Sequence, residues 1–224
     1  MKKERLEVRR IQRKKASVPL NMRSCLIMTE GTETEPNYFK GLVALIKETK
    51  KIEGVVNVVE LNDVEIQGVG RSTTELLKET EKYVSRSRNI YQEIWLVFDK
   101  DDFKDFDDAI ISAQKEGYKV AWSNECFEYW LLLHFQYLDT ALTRAQLKEK
   151  LDDKLKDTVL GGYSKSCDLW KVITKNEVQV AIRNAKKRMQ SFYMDKSMKY
   201  SEYNPGTYVY ALVEMLFAYL VDDE

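Results

Sequence analysis

Carboxylate side chains stand at the ends of two apolar runs of this sequence. Glu30 follows the run CLIMT, and the run EIWLVFD ends in Asp99, with Asp101 and Asp102 shortly after it. In an extended backbone, side chains two residues apart point to the same face about 7 Å apart, so Asp99 and Asp101 can converge on one ion. Oxygen ligands without histidine or thiolate are typical of Mg²⁺ or Mn²⁺ sites.

These acids are the candidate catalytic and metal-binding residues. If the two runs form neighbouring strands, Glu30 and Glu35 meet the DxD pair, and so many like charges in one place would be costly without a cation. We therefore expect Glu30, Asp99 and Asp101 to be catalytic, and the metal ligands to be Glu30, Glu35, Asp99, Asp101 and Asp102. A second interpretation stays open, in which Asp102 and Glu35 only cap nearby helices.

One further acid, Glu128, lies in the first turn of a predicted helix. It can face the same site, or it can be there because an acid near a helix N-terminus is favourable. Both interpretations stay open.

Strands and helices alternate in the first part of the chain. Predicted strands cover 25–30, 55–61, 93–99 and 118–122, and predicted helices begin near Thr34 and cover 73–87, 103–116 and 127–135. This rhythm predicts an α/β fold, with a mostly parallel sheet covered by helices on both faces and reactive groups at the carboxyl ends of its strands.

After about residue 138 the pattern is helical only. Helices are predicted over 142–155, 167–194 and 208–221. We divide the chain into a basic N-terminal arm (1–23), an α/β core (24–138) and a helical C-terminal extension (139–224) that packs on the core, because its last helix is apolar nearly all round.

Charge is divided unevenly along a chain whose net charge is zero. Residues 1–23 carry nine basic and two acidic residues, a net charge of +7, so the remainder carries −7. A basic arm on an acidic body is expected of a protein that contacts a polyanion, although a solvated helix explains the arm equally well. The candidate nucleic-acid-binding residues are Arg9, Arg10, Arg13, Lys14, Lys15 and Lys165.

Several classes of protein are disfavoured. No apolar stretch approaches the roughly 20 residues that span a bilayer, and no secretory signal is visible, so a cytoplasmic location is expected. The three cysteines form no CxxC pair, which argues against zinc ribbons and disulfide frameworks. No P-loop motif occurs, and His134, the single histidine, lies in the apolar segment LLLHF, where a structural role is expected.

Three segments carry a resemblance: EGTETEPNYF (30–39), VFDKDDF (97–103) and SNECFEYWLLLHF (123–135). In order and spacing they resemble the RloB-like family of bacterial defence proteins, which is related to the Toprim nucleases. The similarity continues through Tyr163-Ser164-Lys165 to NPGTYVYALVEML, and it departs at Glu125, where a proline is expected. It implies a Toprim-like sheet, Glu30 as acid/base or ligand, and Asp99 and Asp101 as ligands. The EGxxxE pattern also resembles the OLD-type branch, in which Glu35 would assist a second metal.

The resemblance implies a Mg²⁺- or Mn²⁺-dependent nuclease that hydrolyses DNA or RNA. Such a protein would be the effector of an antiphage abortive-infection system and would work beside a separately encoded ATPase. Two alternatives stay open: a catalytically silent Toprim-fold module that binds nucleic acid or docks the ATPase, and primase-like nucleotidyl transfer. The sequence distinguishes neither DNA from RNA nor a monomer from a homo-oligomer.

Overall fold

A mostly parallel sheet is the central element of the computed structural model. The structure describes residues 25–52, 64–70, 73–100, 105–192 and 197–219. Within these ranges the sheet has five strands in the order β2-β1-β3-β4-β5, of which only β5 is antiparallel. The strands are β1 (Cys25–Thr29), β2 (Val64–Gly68), β3 (Glu93–Asp99), β4 (Lys119–Asn124) and β5 (Gly206–Thr207).

Helices cover both faces of this sheet. They are α1 (Thr34–Ile52), α2 (Thr73–Arg86), α3 (Phe106–Lys115), α4 (Phe127–Leu132), α5 (Arg144–Leu155), α6 (Lys175–Gln190) and α7 (Val209–Tyr219). The chain moves outward from β1 to β2 and then back past β1 to β3, so right-handed crossovers place α1 and α2 on opposite faces. All five residues of β1 are buried, as a central strand covered on both faces requires.

The C-terminal extension packs on the α/β core. Helix α5 contacts α4 and buries three leucines that recur every four residues, Leu147, Leu151 and Leu155. Helix α7 packs against β4 and α6, and α6 also contacts α4. The predicted fold class is therefore confirmed: an α/β protein with a mostly parallel sheet and a helical C-terminal extension, consistent with a Toprim-like fold. The division into three regions stays a prediction.

One strand was not predicted from the sequence. The predicted strand 55–61 lies outside the described residues, and the described second strand is Val64–Gly68. Its residues are only partly buried, and its polar Glu65 accepts hydrogen bonds from the hydroxyl groups of Tyr83 and Tyr91. An edge strand with polar alternate residues lacks the apolar run that identifies β1 and β3.

The predicted helix 167–194 is wrong at its start. Residues 169–171 form a short 3₁₀-helix, and α6 begins only at Lys175. Thr174 and Glu177 form a capping box that fixes this start, a signal that the periodic apolar pattern alone does not contain. Helix α4 also ends at Leu132, three residues before the predicted end. In the described part of the chain, no helix is both long and apolar enough to cross a membrane.

Candidate functional site

The ends of β1 and β3 lie side by side at one edge of the sheet. Thr29 is paired with Val97, and the Glu30 N–H donates to the Val97 carbonyl oxygen at 2.9 Å. Asp99 is the last residue of β3. The backbone therefore places Glu30 and Asp99 next to each other at the edge of the sheet where β1 and β3 end, as expected if the two runs form neighbouring strands.

Glu35 is folded back over the turn that follows β1. The Thr29 hydroxyl donates to the Gly31 carbonyl oxygen at 2.7 Å, which holds this turn. The nearly buried Glu35 carboxylate lies so close to Gly31 that a Cβ at that position would overlap it. A side chain at position 31 would therefore displace the Glu35 carboxylate from the place that it occupies here.

Glu128 reaches the same place from the first turn of α4. The N–H of its neighbour Phe127 donates to the Asp99 carboxylate, so Asp99 also serves as a cap for this short helix. The Glu128 side chain is buried, and its Oε1 accepts a hydrogen bond from the Tyr163 hydroxyl at 3.1 Å. We call Glu30, Glu35, Asp99 and Glu128 the acidic floor.

Burial and neighbouring acids raise the pKa of two members of the acidic floor, Asp99 and Glu35. Burial raises the pKa of Asp99 well above its usual value, and the charges of Glu35, Glu128 and Glu30 raise it further, against the lowering effect of the Phe127 N–H. Burial also raises the pKa of Glu35; its own backbone N–H opposes this, Glu128 adds to it, and Lys165 opposes it. Four carboxylates are therefore close enough to repel one another when ionised.

Cys126 lies close to these acids. Burial raises the pKa of Cys126, and the neighbouring charges of Glu128 and Asp99 raise it further. In the metal-free protein the thiol therefore stays protonated at neutral pH. The donors that the site offers are carboxylate oxygens, which suit a hard divalent cation such as Mg²⁺ or Mn²⁺.

A cleft of about 260 Å³ opens above the acidic floor and is lined by three of its members, Glu35, Asp99 and Glu128, and by the exposed Glu33. Three basic residues line it together with the acids, and all three belong to the C-terminal extension: Arg144, Lys148 and Lys165. We call these three residues the basic rim. The sequence pattern identified Lys165 but not Arg144 or Lys148, because charges on a helix such as α5 usually form a solvated face.

The structure brings together four of the predicted acids: Glu30, Glu35, Asp99 and Glu128. Asp101 and Asp102 lie outside the described residues, as do the predicted nucleic-acid-binding residues of the arm, Arg9, Arg10, Arg13, Lys14 and Lys15. Among the described residues, no three acid, histidine or cysteine side chains are already arranged to hold a metal ion.

The loop between β4 and α4 contains Glu125, where the sequence departs from the family pattern. The Asn124–Glu125 peptide bond is cis. The side-chain amide of Asn204 donates to the Glu125 carboxylate at 3.2 Å, and that of Asn124 donates to the Ser201 carbonyl oxygen at 3.0 Å. The C-terminal extension thus holds the loop that precedes Cys126 and Glu128.

Comparison with known proteins identifies the family. Neither the curated proteins nor the solved structures provide a match. A family model described as RloB-like protein matches residues 25–216, which include β1, the acidic floor, the basic rim and most of α7. The chain therefore belongs to the RloB-like protein family.

Proposed function

We propose that this protein is a metal-dependent nuclease that hydrolyses phosphodiester bonds in DNA or RNA. The observation that supports this most is the cleft itself, which the carboxylates of Glu35, Asp99 and Glu128 line from three different elements together with three basic side chains, while Glu30 is close enough to act on Asp99. Acids that repel one another suit a cation, and an adjacent positive rim suits the anionic substrate that the cation would act on.

The proposed metal ligands are Glu30, Asp99 and Asp101, with Glu35 and Asp102 as additional candidates. When bound, Mg²⁺ or Mn²⁺ would lower the pKa of an attacking water and neutralise charge that develops on the phosphate. Binding requires ionised carboxylates, and burial favours the neutral form of Asp99 by raising its pKa, so metal uptake should release protons.

The remaining residues of the site position these ligands. Phe127 donates its N–H to Asp99 and restrains that carboxylate on the side of α4. Tyr163, whose pKa is raised by burial and by Glu128, keeps its proton and donates it in a hydrogen bond to Glu128. Two members of the acidic floor, Asp99 and Glu128, are thus each held by a hydrogen-bond donor of the protein.

The biological setting is proposed from the family membership and from the resemblance of the DxD and EGxxxE motifs to Toprim and OLD-type nucleases. We propose a cytoplasmic effector of antiphage abortive infection that works beside a separately encoded ATPase.

Cleavage by matched variants tests the proposal. Asp99→Asn keeps an oxygen that can accept the Phe127 N–H but removes the negative charge, and Asp139→Asn makes the same change at an exposed position outside the cleft. We expect labelled DNA or RNA to be cleaved with Mn²⁺ by the wild type and by Asp139→Asn, and not by Asp99→Asn. Equal cleavage by both variants would contradict the proposed site. Nucleic-acid binding without cleavage by the wild type, alone or with its ATPase, would favour the silent module.

A further inference from the structure

The two kinds of charge in the cleft come from different parts of the chain. The acidic floor belongs to the α/β core, whereas Arg144 and Lys148 lie on α5 and Lys165 lies in the loop that follows it. Arg144 and Lys148 are four residues apart, a spacing that places both on one side of a helix. The basic rim is therefore a contribution of the C-terminal extension to a site built by the core.

The loop that carries Lys165 is fixed at two points. The Tyr163 N–H donates to Asp152 Oδ1 on α5 at 2.7 Å, and the Thr34 hydroxyl of the core donates to the Lys165 carbonyl oxygen at 3.3 Å. Gly162, with φ of +134°, makes the first hydrogen bond possible, because a Cβ there would lie 2.7 Å from Asp152 Oδ1. Both hydrogen bonds restrain the backbone of this loop and leave the Lys165 side chain exposed to the cleft.

The rim lysines are only loosely paired with the acids below them. Lys148 forms a long ion pair with Glu128, in which Nζ is 3.7 Å from Oε1, beyond hydrogen-bond distance, and 40% of its side chain is exposed. The same oxygen already accepts the shorter bond from Tyr163. Lys165 is close enough to Glu35 to lower the pKa of that carboxyl, yet it is exposed. Both ammonium groups can therefore turn to an anion that enters the cleft.

We propose that the basic rim binds the phosphate oxygens of a nucleic-acid backbone, so that the extension holds the substrate and the core performs the chemistry. This inference rests on the proposed function. A polynucleotide, rather than a small phosphate ester, is favoured because the cations stand on two separate elements, which suits successive phosphates of one chain. Lysine binds phosphate as a mobile point charge and gives affinity without sequence preference.

Salt-dependent binding of a labelled single-stranded oligonucleotide tests this, in EDTA so that no cleavage occurs. The variants are Lys148→Gln and Lys165→Gln, and the control is Lys154→Gln, which removes the same charge from an exposed position of α5 outside the cleft. Each rim variant should bind more weakly and flatten the plot of log affinity against log salt by about 0.7 for each phosphate that is no longer neutralised. The control should keep the wild-type slope.

Slopes for Lys148→Gln and Lys165→Gln that equal that of Lys154→Gln would overturn the proposal, provided that all three variants melt as the wild type does. Competition with inorganic phosphate distinguishes a polynucleotide from a small phosphate ester as the ligand. If inorganic phosphate displaced the oligonucleotide at a concentration equal to that of the oligonucleotide's own phosphate groups, the polynucleotide assignment would be overturned.

The variant Asp99→Asn separates this inference from the proposed function. This variant should bind the oligonucleotide more tightly in EDTA. If it also still cleaved with Mn²⁺, the proposed metal site would be wrong, but the proposed binding of phosphates by the basic rim would stand.

Discussion

Two buried regions of this protein contain titratable groups, but the surroundings of those groups are opposite in kind. His134 is fully buried, and each of its ring nitrogens has a partner: Nδ1 lies 3.1 Å from the carbonyl oxygens of Trp130 and Leu131, and Nε2 lies 3.0 Å from the Tyr38 hydroxyl. Carbonyl oxygens only accept, so Nδ1 carries the proton and Nε2 accepts from Tyr38. Burial lowers the pKa of His134 to about 4, so the ring is neutral at pH 7.

The acidic floor contrasts with this arrangement. Asp99 has the Phe127 N–H as a donor, but three other carboxylates surround it. At His134 the polar atoms of the fold satisfy one another, which is the mark of a structural residue. On the floor, like charges are gathered, and a bound cation would offset them. Burial among like charges is thus a stronger indication of a functional site than burial of a titratable group alone.

The largest effect that tests this comparison is the pH dependence of stability at His134. Its pKa is about 4 when folded and about 6.5 when unfolded, so its contribution is complete above pH 6.5 and is lost as the pH falls. Between pH 7.5 and pH 5 the free energy of unfolding should fall by about 2 kcal/mol because of this residue. Glu177, the charged group that acts on the ring, opposes the pKa shift, and Tyr38 keeps its proton throughout because burial raises its pKa.

Denaturant unfolding of the wild type and of His134→Gln at both pH values measures this difference. The glutamine amide can replace the ring as donor or acceptor, but it does not titrate. The variant should lose about 2 kcal/mol less stability than the wild type between the two pH values, and identical losses would show that His134 does not titrate as the structure indicates.

A smaller effect is expected on the acidic floor, with the opposite sign. Asp99→Asn replaces a carboxyl whose ionisation is disfavoured by burial and by three neighbouring acids, and it keeps a cap for α4. The metal-free protein should therefore melt about 2–4 °C higher, which is about 1 kcal/mol for a chain of this size. Asp99→Ala also removes the charge but loses the acceptor for the Phe127 N–H, which costs about 1 kcal/mol and cancels the gain. A lower melting temperature for Asp99→Asn would mean that Asp99 is a structural cap and nothing more.

The part of the site formed by neighbouring strands could be predicted from the sequence. The apolar runs of β1 and β3 identify two buried strands, and Glu30 and Asp99 stand at their ends, so a parallel sheet brings them together. The edge strand β2 was missed because it lacks the apolar run that identifies β1 and β3. The basic rim was missed for another reason: Arg144 and Lys148 face the cleft only because α5 packs on α4, a long-range contact that no local pattern records.

The central claim is that the acidic floor binds a divalent cation, and thermal stabilisation by Mn²⁺ tests it most directly. At a concentration about 100 times its dissociation constant, a ligand that binds only the folded state adds about 2.7 kcal/mol. We expect the wild type and Asp139→Asn to gain stability of this order and to release protons on binding, and Asp99→Asn to lose most of the gain although its metal-free form is at least as stable. An equal gain in Asp99→Asn and the wild type would contradict the account.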